Sequence, residues 1–503
     1  MATPAAAPPA GGDKLDPAVL KIAGVVVLGV IMSILDVTVV SVALRTFEQE
    51  FQASYATVAW TMTGYTLALA AVIPLTGWAA DRFGTKRLYI TALVLFVLGS
   101  VLCSMAWDIT TLITFRVLQG LGGGMLLPLG MTIMTKAAGP DRIGRVMAVL
   151  GVPMLLGPIG GPILGGWMID ALSWHWIFLI NLPVGVIALV AAIAVLPKDN
   201  PSPSETFDYV GMLLLSPGLA LLLFGVSSIP ETGTVSSTRV LVPALIGLVL
   251  VVSFVFHALR QRHPLIDLRL FQNRQLTMAT ITLFLFAVAF FGAMLLMPTY
   301  FLQVRGETTL AAGLLLAPQG IGAMISMPIA GKLADKTGAG RIVLTGMVPI
   351  AIGMGVLTQL SADTSYVVIL GVLFLMGLGM GASMMPLMSA ALQTLTDHTV
   401  ARGSTLMNIV QQVAASIGTA VMSVVLTSQI KASDAAARVA SGQVPPQELP
   451  GVLQQASEDA ASGFATAFTV AFVLLVLTLV PALLLPRHKA QSASSQSAPM
   501  VMH

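Results

Sequence analysis

The sequence predicts an all-α integral membrane protein of fourteen spanning helices, two six-helix bundles with an extra pair inserted between them. Three observations predict it. The 503 residues are 56% hydrophobic and only 9% charged. Soluble domains carry about 25% charged residues, so a water-facing surface here would be largely apolar, and the solvent must be lipid. Fourteen apolar runs reach the roughly 20 residues that cross a hydrocarbon core. Motifs in the first half of the chain recur in the second.

The elements follow in order. Residues 1–20 begin Ala/Pro/Gly-rich and lack the basic start and small-residue cleavage site of a signal peptide, so they are expected to be a disordered cytoplasmic N-terminus. Spans are expected at 22–44, 57–80, 88–107, 109–135, 145–170 and 176–196, forming a first bundle over 21–197. Two more at 210–228 and 240–259 form the inserted pair, 198–263. Six at 277–303, 309–334, 342–360, 364–392, 402–428 and 464–486 form a second bundle over 264–486. A tail, 487–503, closes the chain. These continuous runs lack the period-two alternation of a membrane β-barrel.

Lys and Arg set the orientation, because they accumulate in cytoplasmic loops. With the N-terminus inside, nineteen of the 25 Lys and Arg fall on the inner side and five outside, with Arg116 within a span. The basic pI near 9.0 therefore marks a membrane face and needs no nucleic acid. The chain is expected in the cytoplasmic (inner) membrane, with both termini inside. The single Cys103 rules out an intrachain disulfide or a thiolate metal cluster.

Repetition locates the working parts. "GWAADRFGTKR" (77–87) after the second span returns as "GKLADKTGAGR" (331–341) after the tenth. Gly77, Asp81, Arg82, Gly84 and Arg87 in the first copy, with Asp335, Lys336 and Arg341 in the second, are candidates for a conformational latch. Asp81 would cap the next helix or pair with a neighbouring cation such as Arg142 or Arg145. The bland alternative is a topological signal of positive charge. "GLGGGMLLP" (120–128) is echoed by "GLGMGASMMP" (377–386). Repeated halves place a substrate path between them, near the midplane.

Two charges lie well inside spans, away from their ends, and have no counterpart in the second half. Asp36 shares a narrow helical sector with Gly29, Ser33, Val40 and Ala43, which argues for the bundle interior rather than lipid. Arg116, with Gln119 one turn on, is the available partner. A nearby cation favours the ionised form of a buried carboxylate and burial favours its neutral form. That balance suits a proton carrier, and a static ion pair is the alternative. Span five carries Gly157, Pro158, Gly161, Pro162 and Gly165, a small-residue seam interrupted by prolines that suits a gating element. Asn408, Gln411 and Gln412 share one face of their span. With Trp60, Tyr65, Phe290 and Tyr300 they are candidates for a substrate path, although most such aromatics simply pack.

No Walker-type glycine loop is present, so nothing points to ATP. The histidines lack metal-ligand spacing, and neither a metal, a cofactor nor an enzymatic activity is expected.

The chain from about Lys21 to Leu485 resembles the fourteen-helix drug:proton antiporters of the major facilitator superfamily, the EmrB/QacA type. "LDVTVVSVAL" (35–44), "RVLQGLGGG" (116–124), "GPIGGPILGG" (157–166), "WHWIFLINLPVG" (174–185), "FDYVG" (207–211) and "PLIDLRLFQNR" (264–274) carry the resemblance with the loop motif. It implies a major facilitator fold and alternating access driven by the proton gradient. Asp36 falls on the family's first-helix carboxylate, implicated in proton or cation recognition, and Arg116 on its fourth-helix arginine. Gly157, Pro158 and Gly161 fall on the antiporter motif, and Asp81 and Arg82 on the latch. Ser41 and Arg45 replace the usual Asn and Pro, and His175 the usual Arg between two tryptophans.

The expected function is proton-coupled export of amphipathic, often cationic, compounds, with protons, small substrates and membrane lipid as partners. The chain is expected to be a monomer, and the need for a periplasmic adaptor is open. Alternatives are export of an endogenous lipid, siderophore or metabolite, and a non-transporting receptor or scaffold.

Overall fold

The computed structural model describes residues 16–139, 142–199, 206–232, 234–393, 395–396, 399–440, 444–445 and 447–485. Most of the expected N-terminus and the 487–503 tail lie outside them. The long helices are α1 Pro17–Glu50, α2 Trp60–Phe83, α3 Thr85–Ser104, α4 Ile109–Ala138, α5 Ile143–Ala171, α6 Asn181–Val195, α7 Tyr209–Ser227, α8 Thr238–Arg260, α9 Arg274–Gln303, α10 Ala317–Thr337, α11 Ala339–Leu357, α12 Tyr366–Leu392, α13 Val400–Lys431 and α14 Leu449–Leu483. Thirteen membrane-length segments are apolar enough to span. The remaining expected span is α5, with 29 residues. No strand occurs among the described residues.

Three boundaries differ from hydropathy, each for a local reason. The last helix begins at Leu449 rather than near 464, because "LPGVLQQASEDAASG" is helical yet too polar to register as a span. The sixth and tenth spans are each broken near a proline: Trp176–Leu179 precedes α6, and Thr309–Leu315 precedes α10. Pro183 and Pro318 lie in the first turn of the helix that follows each break, where a missing N–H costs nothing.

Polar side chains terminate the helices. Asp108 caps α4 by accepting the Thr111 N–H at 2.7 Å, with Thr111 reciprocating. That hydrogen bond holds its carboxyl below the usual range. Its stabilising effect is present above the unfolded carboxylate value of about 3.9 and is lost as pH falls through the lower folded value. At the basic end, Gly84 and Gly338 occupy equivalent places in the repeated motif, with φ of 96° and 94°. Each ends one helix and starts the next. A Cβ on Gly84 would also overlap the Asp199 carboxylate, which accepts the N–H groups of Lys86 at 2.8 Å and Arg87 at 3.0 Å. Gly84→Ala should therefore cost about 1–3 kcal/mol, read as a lowered melting temperature of the detergent-solubilised protein. An unchanged melting curve would contradict the strain.

Small residues set the packing. Gly122 of α4 faces the Phe96 N atom of α3, a would-be Cβ contact of 2.5 Å, and Gly124 faces the Leu69 carbonyl of α2 at 2.7 Å. The echo in α12 packs in the same way: Gly381 approaches the Ala323 carbonyl of α10 at 2.5 Å. In α5, Gly157, Gly161 and Gly165 lie against Ile34, Thr38 and Val39, so the small-residue seam rides on the helix that carries Asp36. The Thr38 hydroxyl donates to the Gly157 carbonyl at 3.1 Å. The helix runs unbroken through its prolines. The side chains of Pro158 and Pro162 lie outside the described ones.

Helices α7 and α8 pack closely on each other, and α7 leans on α2 and α13. Trp60 stacks on Phe224 at 5.5 Å. Their base is tied by the buried Asp208, which accepts the Gly211 N–H at 2.8 Å and the Leu265 N–H at 3.1 Å and meets His257 Nε2 at 2.7 Å. Asp208→Ala strands these donors, at about 1–3 kcal/mol for each one buried. Protease cutting within 261–273 should then precede loss of the remaining fold.

Candidate functional site

Asp36 lies beyond the middle of α1 and turns away from lipid toward α3, α4 and α6. It is 2% exposed, and Arg116 and Gln119 are wholly buried. Arg116, two turns into α4, forms an ion pair with Asp36 Oδ2 through one terminal guanidinium nitrogen. The same nitrogen donates to Gln119 Oε1 at 2.6 Å, and Nε donates to the Thr61 carbonyl at 3.0 Å. Its guanidinium carbon sits 4.2 Å from the Tyr65 ring centre, a cation–π contact. The Tyr65 hydroxyl is 3.1 Å from that of Ser33.

The other carboxylate oxygen, Oδ1, accepts Gln119 Nε2 at 2.8 Å and Asn181 Nδ2 at 3.4 Å. Both amides also donate to the Ser100 hydroxyl oxygen, at 3.1 and 2.9 Å. Cys103 lies 3.7 Å from Gln119 Oε1. An unpaired charge in hydrocarbon is costly. Here the carboxylate is met by a cation and two amides, so the cluster is satisfied apart from the second terminal nitrogen of Arg116, which is buried without a partner among the described residues.

Sequence reasoning paired Asp36 with Arg116 and placed Gln119 on the same helical face as Arg116, and the structure brings those three together. It did not name Asn181 or Ser100. Asn181 was detectable as the one amide side chain in the otherwise apolar run 176–196. Ser100 carried no signal, since serines are ordinary in membrane helices.

The remaining path candidates do not converge on this cluster, apart from Tyr65. Trp60 faces the inserted pair. Phe290 stacks on Phe286 at 5.5 Å within the second half and lines a small void with Met294, Gln319 and Phe468. The Tyr300 hydroxyl donates to the Ser361 carbonyl at 2.7 Å and pins the loop between α11 and α12. Asn408 donates to its own helix at Ser404 O, 2.8 Å, and approaches Met131 Sδ of α4 at 3.2 Å. Gln411 is buried and Gln412 half-buried on α13. Amphipathic aromatics satisfy local needs first, which a helical wheel cannot foresee.

At the basic end the repeated motifs reach across the molecule. Asp335, in the last turns of α10, caps α5: it accepts the Gly144 N–H at 2.8 Å and the Arg145 N–H at 3.3 Å, with Arg145 Nε at 3.5 Å. Asp81, in α2, pairs with Arg402 at the start of α13 at 3.4 Å. The expected partners Arg142 and Arg145 are thus replaced by Arg402, because each motif meets the opposite half. Gly77 lies against the Arg402 backbone, and Gly144 and Gly331 face each other. Arg82, Lys336 and Arg341 are exposed, while Arg87 meets Asp199 through its backbone.

Comparison with known proteins decides the family. A model described as Major Facilitator Superfamily matches residues 26–419. The chain belongs to the major facilitator superfamily. It is similar to a "Multidrug resistance protein B homolog" of Mycobacterium tuberculosis, 51% identical over 521 aligned residues, covering 99% of this chain and 96% of the relative. A "Putative multidrug resistance protein MdtD" of Escherichia fergusonii is 31% identical, covering 80% of this chain and 85% of the relative. Among solved structures, the human organic anion transporter MFSD10 superposes with a TM-score of 0.62 at 16% identity, covering 92% of this chain and 100% of that one. The proton:xylose symporter XylE superposes with a TM-score of 0.54 at 14% identity, covering 91% and 95%. At such identities the likeness establishes the fold. The transporter is therefore all-α, with the membrane-spanning architecture of its superfamily.

Proposed function

We propose that this transporter exports amphipathic, often cationic, drugs or toxic compounds in exchange for protons. Export is by alternating access, in the inner membrane with the basic end in the cytoplasm. The observation that carries the proposal is the buried Asp36–Arg116 pair, present in one half only. A carboxylate sealed by a cation is a site where one proton changes the local charge by a full unit. Proton uptake at Asp36 removes the charge that holds Arg116, frees α1 from α4, and through the Gly157–Gly165 seam affects α5. Helix α5 in turn carries the Asp335 contact at the cytoplasmic end, so the carboxylate and the latch share one rigid path. The drug-resistance names of relatives covering most of the chain support a drug cargo.

Purified transporter in proteoliposomes tests this with ethidium as probe. An acidic lumen should drive ethidium accumulation, with protons leaving as the drug enters. Accumulation indifferent to the gradient, or moving in the direction of the protons, would refute antiport.

A further inference from the structure

The hydrogen-bond polarity around Asp36 is set from outside the ion pair. The Ser100 hydroxyl donates to the Phe178 carbonyl at 3.0 Å. Its proton is thus committed, and its oxygen is left to accept Asn181 Nδ2 at 2.9 Å and Gln119 Nε2 at 3.1 Å. A hydroxyl has one proton and two lone pairs, so Ser100 is saturated. This orients both amides with their N–H groups toward Asp36 Oδ1. The Gln119 carbonyl is taken by Arg116. Every neighbour recorded at the carboxylate is a donor. The arrangement fits the ionised form and, among the described residues, offers a protonated carboxyl no acceptor for its own O–H.

Asn181 differs from the other donors in origin. Arg116 and Gln119 both belong to α4, whereas Asn181 opens α6. It directly follows the connecting segment in which Trp174 packs on Phe47 of α1, with ring centres 5.6 Å apart. The titratable groups facing Asp36 are Arg116 of α4, Tyr65 of α2 and Cys103 of α3. Helix α6 has none, and those of α5, Arg145 and Asp170, lie at its two ends. On α1 itself the nearest is the exposed Arg45. His175 of the connecting segment stacks on Trp174 at 3.8 Å. Among the described residues, no second carboxylate faces Asp36.

We propose that Asn181, oriented by Ser100 and the Phe178 carbonyl, is a positioning residue for proton coupling. It presents an N–H to Asp36 and so ties the protonation of that carboxylate to the contact between α1 and α6. The proposal rests on the proton-coupling role of Asp36. Protonation introduces a second donor facing the Asn181 amide, so α1 and α6 must separate or the amide must turn, and Ser100 opposes the turn.

The test measures gradient-driven ethidium accumulation by the full-length transporter against pH, at constant gradient. A typical net hydrogen bond is worth a few-fold to about tenfold in equilibrium, and the Asn181 contact at 3.4 Å is a long one. Asn181→Ala should therefore move the half-maximal pH up by about half to one unit, since a carboxylate with fewer donors takes its proton more readily. Ser100→Ala, a small change that frees both amides, should move it in the same direction and serves if Asn181→Ala does not fold. A rate lowered equally at every pH with the midpoint unmoved in these variants would mean a purely structural role and overturn the proposal. Failure of the underlying role is distinguishable: Asp36→Asn would then retain gradient-driven accumulation.

Discussion

Asp36→Asn is expected to fold and to lose gradient-driven export altogether. The amide keeps the size of the side chain and removes the one carboxyl group in the cluster, to which proton coupling is assigned above. It also leaves Arg116 buried without a counter-charge. Breaking one side of a buried pair costs about 3–5 kcal/mol, so the variant should melt well below the parent. The loss of transport would then have two possible causes, and the double variant Asp36→Asn/Arg116→Gln separates them. Removing both charges relieves the stranded cation, and neutral replacement of a buried pair is often nearly free. The double variant should regain most of the melting temperature and none of the coupling. If the double variant regained coupling along with stability, Asp36 would be a structural anchor and nothing more.

Gly331→Leu is expected to hold the transporter open at its basic end. In the present conformation a Cβ at Gly331 would lie 2.6 Å from the Gly144 carbonyl oxygen and 3.1 Å from Ala148 Cβ. The nearest obstacle is backbone and cannot rotate away. An overpacking cost of about 1–3 kcal/mol, borne by the closed conformer alone, shifts the equilibrium roughly 5–150-fold toward the open one. Two measurements check this. Export should fall by a similar factor, because alternating access needs both conformers. Accessibility should change too: Ala401, buried at the facing contact with Gly77, can be replaced by Cys in a Cys103→Ser background. Everted vesicles should then show faster maleimide labelling when Gly331→Leu is added. Unchanged labelling with normal export would mean that this contact does not gate the molecule.

Much of the fold was legible because hydropathy and periodicity are local properties. A run such as 28–47 is apolar whatever surrounds it, and lipid is the solvent that tolerates it. The duplicated "GWAADRFGTKR" and "GKLADKTGAGR" motifs were equally visible, as was their glycine turn, since a positive φ is a local demand. The pairing of Asp36 with Arg116 was inferable because an intramembrane charge must find an opposite one, and few are available. Asn181 was missed because a lone amide advertises no partner. Trp60, Phe290 and Tyr300 do not gather at the Asp36 cluster, because aromaticity does not say which neighbour a ring will meet.

The sequence alone thus determined a lipid-embedded, all-helical transporter with repeated motifs and one unduplicated intramembrane carboxylate. Only the tertiary structure decided that each loop motif grips the opposite half, Asp335 to Gly144 and Asp81 to Arg402. Only it decided that Asp36 is met by three donors from two helices. The physical reason is range. Burial of apolar residues and backbone conformation are dictated within a few residues of chain. The partner of a buried polar atom is dictated by which distant helix the packing brings to it.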